Sequence, residues 1–374
     1  MSKVKIKTLT PIHIGSGSML YKGMDYVINN GKLYVIDHHK VLNIIGPEKI
    51  DSWVSSIEKN EDLAAFISRQ GINVASPMEY AKREMECYSN GITVKECIHD
   101  GRGLAYIPGS SIKGAIRTAV LATELKGNEN SVEHLIGFRK ETACSKIEEK
   151  VFSKPAPEGR KGITASNTSF MRFLQIGDAY FYEGCECVLN AINLNIRSSH
   201  DSLVDGSKPQ AIEAISCEQT TEFDIRLNQT VLKNDKGGII QTLPASMKSL
   251  ENLFKTINKH TKKLLKEELE YWKEVSKDFS DADSYIEFIE DLVAEIDEII
   301  EGKECVLRIG HASGWRFTTG AWAENLNCFN EKVVPMSRPK NERYAEYDFP
   351  KSRRVYEIED KEVDILGFVK LTLI

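Results

Sequence analysis

Hydrophobic and polar positions change period several times along the chain. Residues 3–9 alternate, with Val4, Ile6 and Thr8 on one face, which predicts a strand. The run Thr10-Pro-Ile-His-Ile-Gly-Ser-Gly17 breaks it. Tyr26–Ile28 and Leu33–Ile36 then flank Asn29-Asn-Gly31, a hairpin pattern. From 47 to 88 the spacing is helical, predicting helices over 47–58, 62–70 and 77–88, the last opened by Ser76-Pro77. In a fourth helix Ile112, Ala115, Ile116, Ala119 and Val120 recur at i, i+3, i+4, i+7 and i+8, a buried stripe.

The second half reads less evenly. Residues 153–168 hold Pro155, Pro157, Gly159, Gly162 and three basic residues, which predicts a long loop or an extended hairpin arm. Strands are predicted at 173–176, 179–182, 187–196, 221–227, 305–309 and 367–373, with an irregular stretch over 197–210. Residues 245–301 are the clearest helical block, one helix over 246–275 and another over 282–300. The second carries Tyr285, Phe288, Ile289, Leu292, Ile296, Ile299 and Ile300 as a 3.6-residue stripe, and its outward face is strongly acidic. That face is either solvated or a surface for a partner protein.

At 374 residues, 41% hydrophobic and 28% charged, the chain has the composition of an ordinary soluble protein with room for two cores. No apolar run is long enough to cross a bilayer, and Met1-Ser-Lys-Val-Lys5 has no signal-peptide core, so a cytoplasmic, membrane-free protein is expected. Eight cysteines without a CxxC pair argue for reduced, packed thiols and against a zinc site. His38-His39 lacks a metal-ligand partner at helical spacing and reads as a turn beside a strand. No metal and no cofactor are expected.

The net charge of −6 is unevenly spread. Residues 251–304 hold 16 acidic and 8 basic residues, whereas 332–354 hold 7 basic and 3 acidic, including Arg338, Lys340, Arg343, Lys351, Arg353 and Arg354. The acidity belongs largely to one helical segment, and a basic surface lies elsewhere.

The sharpest local chemistry lies at Tyr106–Val120. Pro108-Gly109 ends a short apolar lead, and Ser110 or Ser111 is the expected N-cap of the fourth helix. Lys113 and Arg117 sit four apart on a face away from the apolar stripe. Free amides, two hydroxyls and two cations make a site for a phosphate oxygen, although a capped surface helix with solvated cations has the same pattern. Gly109 and Gly114 have P-loop spacing, but Ala115-Ile116 stand where Lys-Ser/Thr is needed, which excludes nucleotide hydrolysis of that type. Arg308–Trp322 brings three glycines, two arginines, a histidine and three aromatics together. There the backbone at 310–314 and Arg316 suit a sugar-phosphate chain, while Trp315 and Phe317 are expected to pack inward.

These stretches together resemble the RAMP superfamily, the repeat-associated RNA-binding proteins of CRISPR systems. The helix start Pro108-Gly-Ser-Ser-Ile-Lys-Gly114 resembles the family's glycine-serine-lysine-glycine motif. Residues 4–17 are similar to its first strand and turn, 215–227 to the strand opening its second half, and 307–317 to its late glycine-rich loop. The resemblance implies an α+β fold of two ferredoxin-like (RRM-type) domains: 1–210 with a helical insertion at about 47–88, and 211–374 with the acidic insertion at about 245–301. It implies RNA contact by His13, Gly15, Ser16 and Gly17; by Gly109, Ser110, Ser111, Lys113 and Arg117; and by Gly310, His311, Gly314 and Arg316. Lys351, Arg353 and Arg354 fall in another late family feature.

Among RAMP proteins, the size, layout and motif order most resemble a terminal subunit of the type III-A (Csm) effector. That implies a non-catalytic role: binding guide RNA (crRNA) with target RNA, capping the filament at the guide 3′ end beside the backbone RAMP subunit, and helping host nucleases mature that end. A terminal subunit of the type III-B (Cmr) complex is a close competitor. Other RAMP relatives are metal-independent endoribonucleases, for which His13 and His311 are the available acid–base pair. Nothing aligns with the aspartate loop of target-cutting relatives, which leaves Asp178, Asp201 and Asp205 unassigned. An unrelated α+β scaffold with a chance helix cap is the third reading.

Overall fold

The structure, a computed structural model, describes residues 2–59, 61–137, 139, 142–153, 168–196, 202–228, 243–277, 282–338, 349–358 and 362–374. Strand β1 (Ser2–Thr8) turns Val4, Ile6 and Thr8 inward, as its alternation requires. β2 (Gly15–Tyr21) begins inside the run that breaks the sequence pattern, and its exposed residues Ser16 to Ser18 leave the ladder. β3 (Tyr26–Asn29) and β4 (Lys32–Ile36) form the expected hairpin, with Asn30 and Gly31 both at positive φ. His38-His39 opens a helix rather than a turn: α1 (His38–Ile45) is capped by the Asp37 carboxylate, which accepts from the amides of His39 and Lys40.

A 3-10 turn at Pro47–Lys49 precedes α2 (Ile50–Glu58), and α3 (Leu63–Arg69) follows. The helix expected over 77–88 is instead a 3-10 turn (Pro77–Glu79) and strand β5 (Ala81–Cys87). Its buried residues, Ala81 and Met85, are four apart, a spacing that puts them on one face of a helix or of a strand alike. Pairing with β4 on one side and β10 on the other decides for the strand.

Then come β6 (Thr93–Cys97), β7 (Tyr106–Ile107), α4 (Gly109–Leu125), α5 (Ser145–Phe152), β8 (Leu174–Ile176), β9 (Ala179–Tyr180) and β10 (Glu186–Asn195). β11 (Val204–Ile215) replaces the second half of the irregular stretch expected over 197–210, whose residues 197–201 lie outside the described ones, and β12 (Thr220–Leu227) follows. The loop or arm expected at 153–168 lies almost wholly outside the described residues, as do Lys340 and Arg343. The chain closes with α6 (Leu250–Val275), α7 (Asp283–Glu298), β13 (Glu304–Arg308), β14 (Ser352–Glu357), β15 (Val363–Asp364) and β16 (Phe368–Leu373).

Two sheets organise this α+β fold. One runs β13-β16-β1-β12-β8 with every neighbour antiparallel. Its inner face (Val4, Ile6, Ile225, Leu371) is covered by Ile112, Ile116 and Val120 of α4 and by Phe254 and Ile257 of α6, a ferredoxin-like layering. The other is nine-stranded along β2-β6-β11-β10-β5-β4-β3, with β14 on β10 and β15 on β14. Residues of α1, α2 and α3 cover the β3–β4 hairpin. Both sheets draw on both halves of the chain: β1 lies between β12 and β16, and β11 itself crosses residue 210.

Tyr285, Ile289, Leu292 and Ile296 of α7 pack with Leu265 and Trp272 of α6, as the periodicity predicts. Part of the acidic outer face of α7 is paired within the chain, Asp297 to Lys262 and Glu290 to Lys273. Among the described residues no helix is long and apolar enough to cross a membrane.

Candidate nucleic-acid interface

Of the amphipathic stripe of α4, Ile112, Ile116, Ala119 and Val120 are buried as predicted and Ala115 is partly buried, but the helix start differs. The helix begins at Gly109 with Pro108 as N-cap, so Ser110 and Ser111 lie inside the first turn and neither caps it. The amide of Gly109 donates to Oδ1 of Asp178 at 2.8 Å. A carboxylate of the chain therefore occupies the position nearest the positive end of the helix dipole, where an incoming phosphate was expected. A Cβ at Gly109 would lie 2.3 Å from the carbonyl oxygen of Ile176, so only glycine lets the helix start this close to β8.

The two cations have different surroundings. Lys113 is half-buried, donates to the carbonyl of Leu174 at 2.7 Å, and has its pKa lowered by burial and by Arg117. Arg117 is exposed, pairs with Glu148 of α5 at 2.6 Å and lies over the ring of Phe152.

Along its exposed face α4 meets the late glycine-rich loop. Ser111, Gly114, Arg117 and Thr118 line one wall of an open cleft of about 380 Å³, and Arg308, Gly310, Ser313 and Thr318 contribute to the other. The Thr118 hydroxyl ties the walls together by donating to the Thr318 carbonyl at 2.5 Å. Gly310 (φ +82°), Ala312 (+68°) and Gly314 (+74°) take the left-handed conformation in alternation, giving the loop its sharp path. Arg308 donates to the carbonyls of Leu366 and Ala312, between the rings of Phe317 and Phe368. Trp315 packs on Phe329 and Phe349 as expected, while Phe317 meets Phe368 edge to face and also lines the cleft.

The first-strand turn joins the late loop through two histidines. The amide of His311 donates to the carbonyl of His13, and the rings meet edge to face with centroids 5.5 Å apart. His13 is buried, with Nδ1 2.6 Å from the carbonyl oxygen of Glu213. Nε2 of His311 is buried and has no hydrogen-bond partner among the described residues. Burial pushes the pKa of His13 down and that of His311 down to about 4, so both rings are neutral at pH 7. Gly15, Ser16 and Gly17 are exposed beside them.

The RAMP superfamily model matches residues 5–317. The chain belongs to the RAMP superfamily. It is similar to the CRISPR system protein Csm5 of Methanocaldococcus jannaschii, 29% identical over 274 residues covering 70% of this chain and 55% of that one. Csm5 of Streptococcus thermophilus is 34% identical over 155 residues, 37% of this chain and 43% of that one. The matched stretches thus span about half the length of these curated relatives. Two solved structures share the fold over essentially the whole of each chain. One is a chain of a Csm–crRNA–target RNA ternary complex of a type III-A system, with TM-score 0.70, 18% identity and full coverage of both chains. The other is T. onnurineus Csm5, with TM-score 0.63, 17% identity and coverage of 98% and 99%.

Not every candidate of this RAMP protein reaches the cleft surface. Arg353 is buried and holds both oxygens of Glu268 on α6 through Nε and Nη2. Arg316 donates to Glu324 at 2.8 Å and to Glu268 at 3.3 Å. These two guanidiniums pair with the chain's own carboxylates, because Glu268 lies deep between α6 and β14 and needs counter-ions. Arg354 is half-buried and donates to Asn193. Lys351 lies just before β14, partly exposed. Arg308, Thr118, Ser313 and Glu148 belong to the cleft without having been singled out by sequence. Arg308 and Ser313 fall inside the late motif, whereas Glu148 carries no signal of its own.

Behind the turn lies a buried charged cluster. Glu96, His99 and Glu213, and likewise Cys97, Glu186 and Glu213, bring potential metal-ligand atoms within 4.8 Å of one another. The cation present there is Arg83, paired with Glu213 at 2.7 Å and with Glu96 at 3.2 Å, and His99 meets Glu186 at 2.8 Å.

Proposed function

We propose that this RAMP protein is a guide-RNA-binding subunit, without chemistry of its own, of a type III-A (Csm) CRISPR ribonucleoprotein. In this reading it caps the filament at the 3′ end of the guide beside the backbone RAMP subunit, contacts guide and target RNA, and helps host nucleases mature the guide end. The observation that carries the reading is the convergence of two family motifs, the start of α4 and the 310–314 loop, on one cleft. Likeness to Csm5 supports the choice of complex.

The cleft offers hydroxyls, glycine backbone and the guanidiniums of Arg117 and Arg308 beside Glu148 and Phe317, and among the described residues no base-reading amide side chain lines it. Binding is accordingly to the backbone, tolerant of sequence and weakened by salt. A non-catalytic role fits the histidine pair: a general acid must be protonated near pH 7, and burial disfavours that at both rings. The test is equilibrium binding of single-stranded RNAs of unrelated sequence across a salt series. Similar affinities that fall together with salt are expected. Strong preference for one sequence, or affinity indifferent to salt, contradicts the reading.

A further inference from the structure

We infer that the outer face of the β7–β9 ribbon is a stacking platform for one unpaired nucleobase of a bound RNA. The inference rests on the RNA-binding reading above and adds a site that the cleft does not contain.

Strand alternation builds the platform. Ala105, Ile107, Ala179 and Phe181 all point into the core and are at most 2% exposed. Their neighbours Tyr106, Tyr180 and Tyr182 therefore face outward, and Tyr180 and Tyr182 keep 40% and 58% of their surface open. Tyr106 and Tyr180 are direct cross-strand partners with ring centroids 5.1 Å apart and planes within 25°, a parallel stack. The hydroxyl of Tyr182 donates to the carbonyl of Thr220 at 2.8 Å, and that of Tyr180 reaches Oδ2 of Asp178 at 3.3 Å. Tethering at the tips holds the rings in place while leaving aromatic surface open. The Arg102 guanidinium stands 5.6 Å from the Tyr180 ring on a mostly exposed side chain, held there by Asp100 at 2.8 Å, and adds a cation beside the aromatic surface.

The occupant follows from the surroundings. The carboxylate of Asp178 beside the Tyr180 ring disfavours a phosphate and can accept from the N–H groups of a base, whereas Asp100 is already engaged by Arg102 and by the amide of Leu104. A ribbon two residues long per strand matches a base in size and falls far short of the roughly 800 Å² per side of a stable protein interface. Asp178 is also the residue that closes α4, so the platform adjoins the helix whose other face lines the cleft.

The test uses the full-length chain with single-stranded RNA carrying 5-iodouridine, photocrosslinked and mapped by mass spectrometry, alongside affinity measurements on two double variants. Crosslinks should fall on Tyr180 or Tyr182. Tyr180→Leu with Tyr182→Leu should weaken binding about tenfold, whereas Tyr180→Phe with Tyr182→Phe should stay within about twofold of the parent. Crosslinks confined to other segments, or a leucine variant that binds like the parent, overturn the platform and leave the RNA reading standing. A parent chain that retains no RNA at low salt overturns both. Mapping on the parent does not depend on how the variants fold.

Discussion

The amide of Gly109 and the carboxylate of Asp178 meet at 2.8 Å, so the first turn of α4 is closed by a residue 69 positions away. Removing the acceptor by Asp178→Ala should cost about 1 kcal/mol, and Asp178→Asn, which still accepts, only a few tenths. Gly109→Ala should cost about 1–3 kcal/mol, because its Cβ must push the Ile176 carbonyl away. Urea unfolding measures all three, and a Gly109→Ala chain as stable as the parent would contradict the close approach.

Glu148 pairs with Arg117, so in the proposed RNA-binding role it would compete with RNA phosphates for that guanidinium. Glu148→Gln should tighten RNA binding and steepen its logarithmic salt dependence by about one, while Arg117→Ala should weaken binding and flatten that dependence by about one. Stability should change by less than about 1 kcal/mol in either case, since the pair is partly exposed. Lys113→Ala differs: it removes the donor to Leu174 and should cost about 1 kcal/mol of stability. A Glu148 variant that binds RNA no more tightly than the parent, with an Arg117 variant that binds it no less tightly, would remove the cleft from the account.

Arg353→Ala removes the guanidinium that holds both oxygens of Glu268 and leaves only the longer Arg316 contact as a cation among the described residues. Glu268 is a buried carboxylate whose pKa Arg353, and secondarily Arg316, hold down at about 2 against the opposing effect of burial. The expected loss is about 3–5 kcal/mol. Because this carboxylate is depressed when folded, its contribution is present above its ordinary range near 4.5 and disappears as pH falls toward 2. Denaturation midpoints at pH 7 and pH 3 check both statements. A variant of normal stability that loses only RNA would return Arg353 to the phosphate-contact set.

His311 predicts a pH dependence of the opposite chemical type. Burial, with His13, Lys95 and Arg354 nearby, lowers its pKa to about 4 in the folded chain. Between about pH 6.5 and 4 the unfolded chain binds a proton there that the folded chain refuses, so stability is full above this window and falls through it. The parent should therefore lose more thermal stability between pH 7 and pH 5 than His311→Gln does. Equal losses would mean that the ring is solvated.

Where one face of an element is buried, sequence periodicity located it: β1, the stripe of α4 and the α6–α7 pair all lie where their apolar spacing puts them. β5 was misread because Ala81 and Met85 satisfy both periods. The cap of α4 could not be read locally, since Asp178 arrives from beyond another helix. The cleft motifs were legible as glycine and cation patterns. The availability of each cation was not, because Glu148, Glu268 and Glu324 become partners only when distant segments pack.

The most direct test of the central claim is a gel in EDTA with the purified chain and end-labelled CRISPR repeat–spacer RNA, alone and with the Csm backbone subunits. The account predicts RNA retained at full length, more tightly when the backbone subunits are present. A discrete metal-independent cut would contradict it and turn attention to His13 and His311 as catalytic groups.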